Sequence, residues 1–283
     1  MAKEHMNNVR ICGVISEIEQ RTGTTKKGDE YLSGVVKVEV SEDNIIPVSF
    51  FSTKMKKDGK PNGIYTSLLT VVNEYRTIAA NTREEADFVE INGAKIRENT
   101  FFTPEGQMIR GFQIDSAFFN RKKADPESKF TVVGEIVAIS DEIVNNEPTG
   151  AITITLMVVG YGDKANLIDF KVEDPKAVSY VRDVFAKGQE VKVSGQVIIE
   201  EVLIEKKEEA GFGDPIVQTS RRVNRKLLIT SATPPVDSAI SAEDRAAMLA
   251  EREASLTTAK EQAAAKAKGG TGTKAQSAAD FSL

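Results

Sequence analysis

The chain has 283 residues, 40% hydrophobic and 28% charged, with a net charge of −5. That balance is ordinary for a soluble globular protein of about two domains, and it excludes a polycation, so any nucleic-acid binding must come from a local patch. A single cysteine, Cys12, excludes an internal disulfide and fits a reducing cytoplasm, while no run approaches the roughly 18 apolar residues that span a bilayer.

In chain order, Met1-Ala2-Lys3-Glu4-His5 lacks the apolar core of a signal peptide. Val9 to Glu19 reads as a strand, with Gly13 at a bend. Arg21 to Asp29 is a loop. Leu32 to Val40 is a second strand, with Val36, Val38 and Val40 on one face. Ile45 to Thr53 is a third, with Ile46, Val48 and Phe50 on one face. A lysine-rich loop, Lys54 to Gly63, precedes a helical pattern of Tyr65, Leu68, Leu69, Val72 and Tyr75. Phe88 to Arg97 is a fourth strand. Phe101 to Gln107 forms a hairpin tip, and Met108 to Phe119 returns.

The order then repeats. Lys129 to Ser140 is a strand containing Gly134, Ala151 to Val159 alternates strictly, and Ala165 to Val172 is the third strand. Asp174-Pro175 starts a helix as N-cap and first helical residue, with Val178, Val181 and Phe185 as its stripe and Gly188 as its stop. Val191 to Lys206, a long polar hairpin and Arg225 to Ala232 complete the unit. Two echoes support the repeat. Val9-Arg10-Ile11-Cys12-Gly13-Val14-Ile15 resembles Thr131-Val132-Val133-Gly134-Glu135-Ile136, and Val89 to Ile96 resembles Val191 to Ile198. Beyond Pro234-Pro235, Ser241-Ala242-Glu243-Asp244 opens a helix rich in Ala, Glu and Lys. Its thin stripe of Met248, Leu249 and Leu256 predicts a solvated or partner-dependent helix, followed by a low-complexity tail.

Three strands, a helix and two strands, with a bend in strand one, is the order of the OB-fold barrel. The expected fold is mainly β. It comprises two tandem OB-fold-like five-stranded barrels, each with a helix between strands three and four, plus a C-terminal helix and flexible tail. The expected boundaries are 1–124, 125–235 and 236–283.

Nothing in the sequence invites catalysis. The only histidine, His5, falls in a terminus expected to be mobile, and Cys12 reads as a small buried hydrophobe. No CxxC, HExxH or GxxxxGK[ST] pattern is present. The expectation is a non-enzyme without cofactor or metal.

Binding of a single nucleic-acid strand needs cations for the phosphates and flat side chains on which bases stack. The first unit has both. Arg10 lies on its first strand. Arg21, Lys26 and Lys27 follow in the next loop, and Lys54, Lys56, Lys57 and Lys60 in the loop after strand three. Alternation points Tyr31, Lys37 and Phe51 outward. It also places Phe112, Ile114 and Phe118 inside and Phe119 outside. The hairpin adds Phe101, Phe102 and Arg110. Each feature has a plainer reading. The lysines can be merely solvated, Phe101 and Phe102 can be an interdomain contact, and the C-terminal helix can cover Phe51. The second unit has no outward aromatic on its strands, but Arg221, Arg222, Arg225 and Lys226 form a basic patch beside Glu200, Glu201, Glu205, Glu208 and Glu209. It is expected to give backbone contacts or to serve assembly.

The segments Val9 to Ile15, Ile46-Pro47-Val48-Ser49-Phe50-Phe51, and Val89 to Gly93 running through the hairpin to Asp115 resemble the OB domain of single-stranded-DNA-binding proteins, especially diverged bacteriophage replication proteins. The resemblance implies sequence-tolerant single-strand binding in replication, recombination or repair, in the cytoplasm, of the host if phage-encoded. It also implies a C-terminal tail that recruits replication or recombination proteins. Asp280 and Phe281 would be that tip, although the family's acidic run and its proline are missing and Lys266, Lys268 and Lys274 stand upstream. The competing readings are a virion-type assembly protein built on OB barrels and an RNA binder.

Overall fold

The computed structural model describes residues 4–103, 105–144, 146–208 and 216–269, with backbone alone for 202–208, 216–222 and 266–269. The first unit contains β1 (Asn7–Thr24), β2 (Glu30–Ser41), β3 (Asn44–Thr53), α1 (Gly63–Glu74), β4 (Phe88–Phe102) and β5 (Met108–Asp115). β1 is long enough to serve two neighbours. Its first half pairs with β4 through Val9–Val14 and its second half with β2 from Val14 onward. The strand turns between these halves at Gly13, where a Cβ would collide with the Glu39 carbonyl, and the register with β2 shifts between Ile15 and Glu17. β2 pairs with β3 and β4 with β5, both antiparallel, and a short parallel contact of Val48 with Ile114 joins β3 to β5. The resulting closed order, β1-β2-β3-β5-β4-β1, is that of an OB-fold. Inward residues such as Ile11, Ile15, Val36, Val48, Ile91 and Ile114 fill the barrel, and Leu68 and Val71 of α1 pack onto that core. Asn62 caps α1 by accepting from the Ile64 amide at 3.2 Å.

After the two-residue β6 (Asn120–Arg121) the plan recurs. It runs through β7 (Glu127–Val144), β8 (Glu147–Gly160), β9 (Lys164–Val172), α2 (Pro175–Val184), β10 (Gln189–Glu208) and β11 (Ile216–Ala232). β9 meets β11 in parallel at Lys171 and Leu228, and β10 closes on β7. The protein is therefore two tandem OB-fold-like barrels. Asp174 caps α2 as expected, accepting from the Ala177 amide at 2.9 Å, with Pro175 behind it.

The barrels share a seam. β1 and β7 run antiparallel from Asn7 opposite Val132 to Cys12 opposite Glu127. Val9 lies four residues before Gly13, and Phe130 lies four before Gly134; these two face each other. Equivalent residues thus meet about a local two-fold axis, as in an isologous dimer interface. Two polar clasps flank the seam. The Asn44 side chain donates to the Val197 carbonyl at 3.1 Å and accepts from the Ile199 amide at 2.9 Å. From the other side, the Glu98 carboxylate accepts from the Leu167 amide at 3.0 Å.

Two expectations need correction. First, His5 is buried and ordered by the second barrel. Its backbone amide donates to the Val159 carbonyl, and its Nδ1 accepts from the Val159 amide at 3.2 Å. Nε2 faces the Glu190 carboxylate at 3.4 Å. Second, the last helix, α3 (Ala242–Gly269), which follows the short β12 (Val236–Asp237), is docked over its first half. Met248 and Ile240 are buried against Met157 and Val159. Arg245 pairs with Glu135, only 1% exposed, and Arg252 pairs with Glu98, 9% exposed. The two arginines are seven residues apart, two helical turns, and so share a face. Sequence patterning counts them as polar surface, but their stems and heads carry the anchorage.

Burial works against the Glu98 carboxylate, but Arg252, Thr100 and the Leu167 amide outweigh it and hold its pKa below the usual range. Arg252→Ala leaves that carboxylate without its cation. A loss of about 3 kcal/mol in unfolding free energy is expected, read by urea melts at neutral pH, with Arg252→Lys recovering part of it. Burial also holds the His5 imidazole below its ordinary value, against the pull of Glu190. Its contribution is therefore complete above the unfolded value of about 6.5 and is lost as pH falls through the lower folded value. His5→Gln is expected to flatten the fall in melting temperature below pH 6.5; an unchanged slope would assign that fall to other groups.

Candidate nucleic-acid interface

A groove of about 710 Å³ crosses the outer surface of the first barrel. Its floor is small and polar, made by Ser33, Gly34, Ser49 and Gln113. A Cβ at Gly34 would strike the Glu19 carbonyl and the Phe50 ring, so bare backbone is required there. Phe51 and Phe118 also line the groove and are 58% and 56% exposed. Phe51 is held by Tyr31, with ring centroids 5.4 Å apart.

Cations gather at one end. The Lys54 amide donates to the Glu30 carbonyl at 2.8 Å, which places the β1–β2 turn beside the loop after β3. Lys26, Lys27, Lys56 and Lys57 are exposed there and have no carboxylate partner among the described residues. Lys54 is paired with Glu30, and Lys60 lies 3.6 Å from Asp58. Arg21, Lys95 and Arg97 line the groove itself, with Glu19 and Asp115 as the acids among them. Burial pushes the Asp115 carboxyl above its usual range, against Arg97 at 2.9 Å and the Gln113 amide at 2.9 Å.

The structure thus brings together Arg21, Lys26, Lys27, Tyr31, Phe51, Lys54, Lys56, Lys57 and Lys60. The other expected residues stand elsewhere or are already engaged. Phe119 is buried, edge-on to Phe50, and it is Phe118 that faces out. The reason is local. β5 ends at Asp115, and Ser116 then closes a turn, its hydroxyl accepting from the Phe118 amide at 3.1 Å. That turn breaks the alternation used to assign the two rings. The serine after the apolar run was the available signal. Lys95 and Arg97 were also missed, although buried Ala94 and Ile96 put them outward.

Arg10 is taken up by Glu90 and Glu127 on the other half of β1. Lys37 is held by both Glu17 and Glu19; burial opposes its charge, but these two partners keep its pKa raised. Phe101 and Phe102 are half-buried, and Arg110 reaches Asp169 of the second barrel at 2.9 Å, so the hairpin leans across the seam. Arg225 is half-buried on β11. The side chains of Arg221 and Arg222, and the tail residues Asp280 and Phe281, lie outside the described residues. Phe51 is not covered by α3.

Among the described residues, no group of three or more His, Cys, Asp or Glu side chains could hold a metal, and no helix is long and apolar enough to cross a membrane.

The fold and the groove define a tandem OB-fold protein whose first barrel carries an open, aromatic-bearing face. The YorF family model matches residues 5–262, and the chain belongs to the YorF family. No curated protein sequence matches it. Among solved structures it is similar to the wild-type single-stranded DNA binding protein of Thermus aquaticus, at 10% identity and a TM-score of 0.46, covering 85% of this chain and 98% of that one. A deletion mutant of the same protein gives 9% identity, a TM-score of 0.46, and coverage of 84% and 98%.

Removing the Arg97 guanidinium takes away a pull that lowers the Asp115 pKa. Arg97→Ala is expected to move the Asp115 carboxyl titration midpoint further up, as followed by carbon-detected NMR; a midpoint that stays or falls would show that Arg97 does not act on it.

Proposed function

We propose that this protein binds single-stranded DNA with little sequence preference through the groove on the first barrel, in replication, recombination or repair, and without catalytic chemistry of its own. The observation that carries this reading is the pair of exposed rings, Phe51 and Phe118, along a groove floored by backbone and small side chains. Apolar rings left open in this way call for a flat partner. A base stacked on one contributes roughly 1–3 kcal/mol, and because every base has a π-face the interaction tolerates sequence. The unpaired lysines at the groove's end supply the phosphate contacts, which makes affinity fall with salt. Duplex DNA fits this surface poorly, since its bases are already stacked.

The test is fluorescence anisotropy of a labelled oligo-dT of about 30 nucleotides, titrated at low and high salt beside a duplex and an RNA of equal length. Tight, salt-sensitive binding to the single DNA strand is expected. Phe51→Ala and Phe118→Ala should each weaken it by roughly 5- to 100-fold, and Lys56→Glu should make the salt dependence shallower. Preference for RNA would redirect the reading to that ligand. No binding at low salt would favour an assembly protein whose open rings seat on another protein.

A further inference from the structure

We infer that the chain presents a single strand-binding face, because α3 and the β4–β5 hairpin seal the corresponding face of the second barrel from within. This inference rests on the single-strand reading above.

By position in the closed order, β8, β9 and β11 of the second barrel correspond to β2, β3 and β5 of the first. On β8 the inward residues are Ile152, Ile154, Leu156 and Val158, so Met157 and Val159 point to the outer face. They are nevertheless only 0% and 1% exposed, because Ile240 and Met248 lie on them and Leu249 packs alongside. On the first barrel, Phe51 of β3 stays open on the outer face. The occupant of the second face is therefore a segment of this chain, fastened at both ends of its contact by the buried pairs Arg245–Glu135 and Arg252–Glu98.

The rest of that face is narrowed by the first barrel. Arg110 of β5 pairs with Asp169 of β9, which also accepts from the Thr155 hydroxyl at 2.7 Å. What remains between β5, β8, β9 and β11 is a cleft of about 230 Å³, a third of the groove on the first barrel. Of the four cations that line it, Arg110 is engaged by Asp169, Lys171 by Glu142 and Lys226 by Glu173, and the fourth, Arg225, is half-buried. Among the described residues, no aromatic of the second barrel opens into it. Among the described residues, such a surface offers phosphate little charge, and its one lining ring, Phe112, is buried in the first barrel and closed to a base. The second barrel then serves as a built-in partner across the pseudo-two-fold seam, covering the β1 edge from Asn7 to Cys12.

The test uses the full chain. Native mass spectrometry with a saturating oligo-dT of about 12 nucleotides, within the span of one OB site, is expected to give one oligonucleotide per chain. Amide hydrogen exchange should show protection in β2, β3 and residues 116–119, with β8 and β9 unchanged. The double variant Phe51→Ala, Phe118→Ala should lose the bound oligonucleotide altogether. Two oligonucleotides per chain, protection in β8 and β9, or full residual binding by the double variant would overturn the inference while leaving single-strand binding intact. No oligonucleotide bound and no protection anywhere would overturn single-strand binding itself, and this inference with it.

Discussion

The antiparallel pairing of β1 with β7 is the constraint on which the rest of the molecule depends. A closed OB barrel removes most strand edges, but the first half of its first strand still offers backbone groups on one side. Here the two exposed edges satisfy each other from Asn7 to Cys12 and from Glu127 to Val132. The seam makes a twelve-stranded sheet of two barrels and fixes their relative placement. The Asn44 clasp adds to this by supplying, from one side chain, the donor and acceptor that a further strand would have given β10.

Once the seam is formed, two barrels of one plan differ chiefly in what lies on their outer faces. The first keeps a groove floored by Gly34, Ser33 and Ser49, with rings standing beside it. The second has its β8–β9 surface under α3. The charges of α3 matter more than its apolar stripe, because Glu135 and Glu98 are both removed from water and each requires its arginine. A buried carboxylate paired in this way adds little net stability over an apolar contact, yet it penalises any misplacement of the helix. α3 is thereby held in one position across both barrels. The N-terminal segment is held by the same logic, with the His5 ring serving as a buried acceptor for the Val159 amide.

Much of this was legible along the chain. Period-two alternation identified Val36, Val38, Ile46, Val48 and Phe50 as interior and Phe51 as exterior, because side-chain direction in a regular strand is a local property. Asp174-Pro175 and Gly188 marked a helix by their own backbone chemistry. The glycines in the first strand of each unit marked a bend for the same kind of reason. Alternation failed at Ser116, where a side-chain hydrogen bond replaced the strand ladder and exchanged the roles of Phe118 and Phe119.

What the sequence alone determined, then, is the two-fold repetition of an OB-fold plan, most of its cores, and the Phe51 ring and the lysines that stand on the first unit's outer surface. These follow from residue type and spacing over a few neighbours. Tertiary structure alone decided which charges are available and which are consumed. Arg10, Lys37 and Arg110 look like phosphate contacts in sequence, but carboxylates distant along the chain hold them in the fold. It also decided that His5 and α3 are anchored and that one barrel face is open while the other is covered. Ion pairing and coverage depend on which distant segments the seam brings within a few ångströms, and no local pattern encodes that distance.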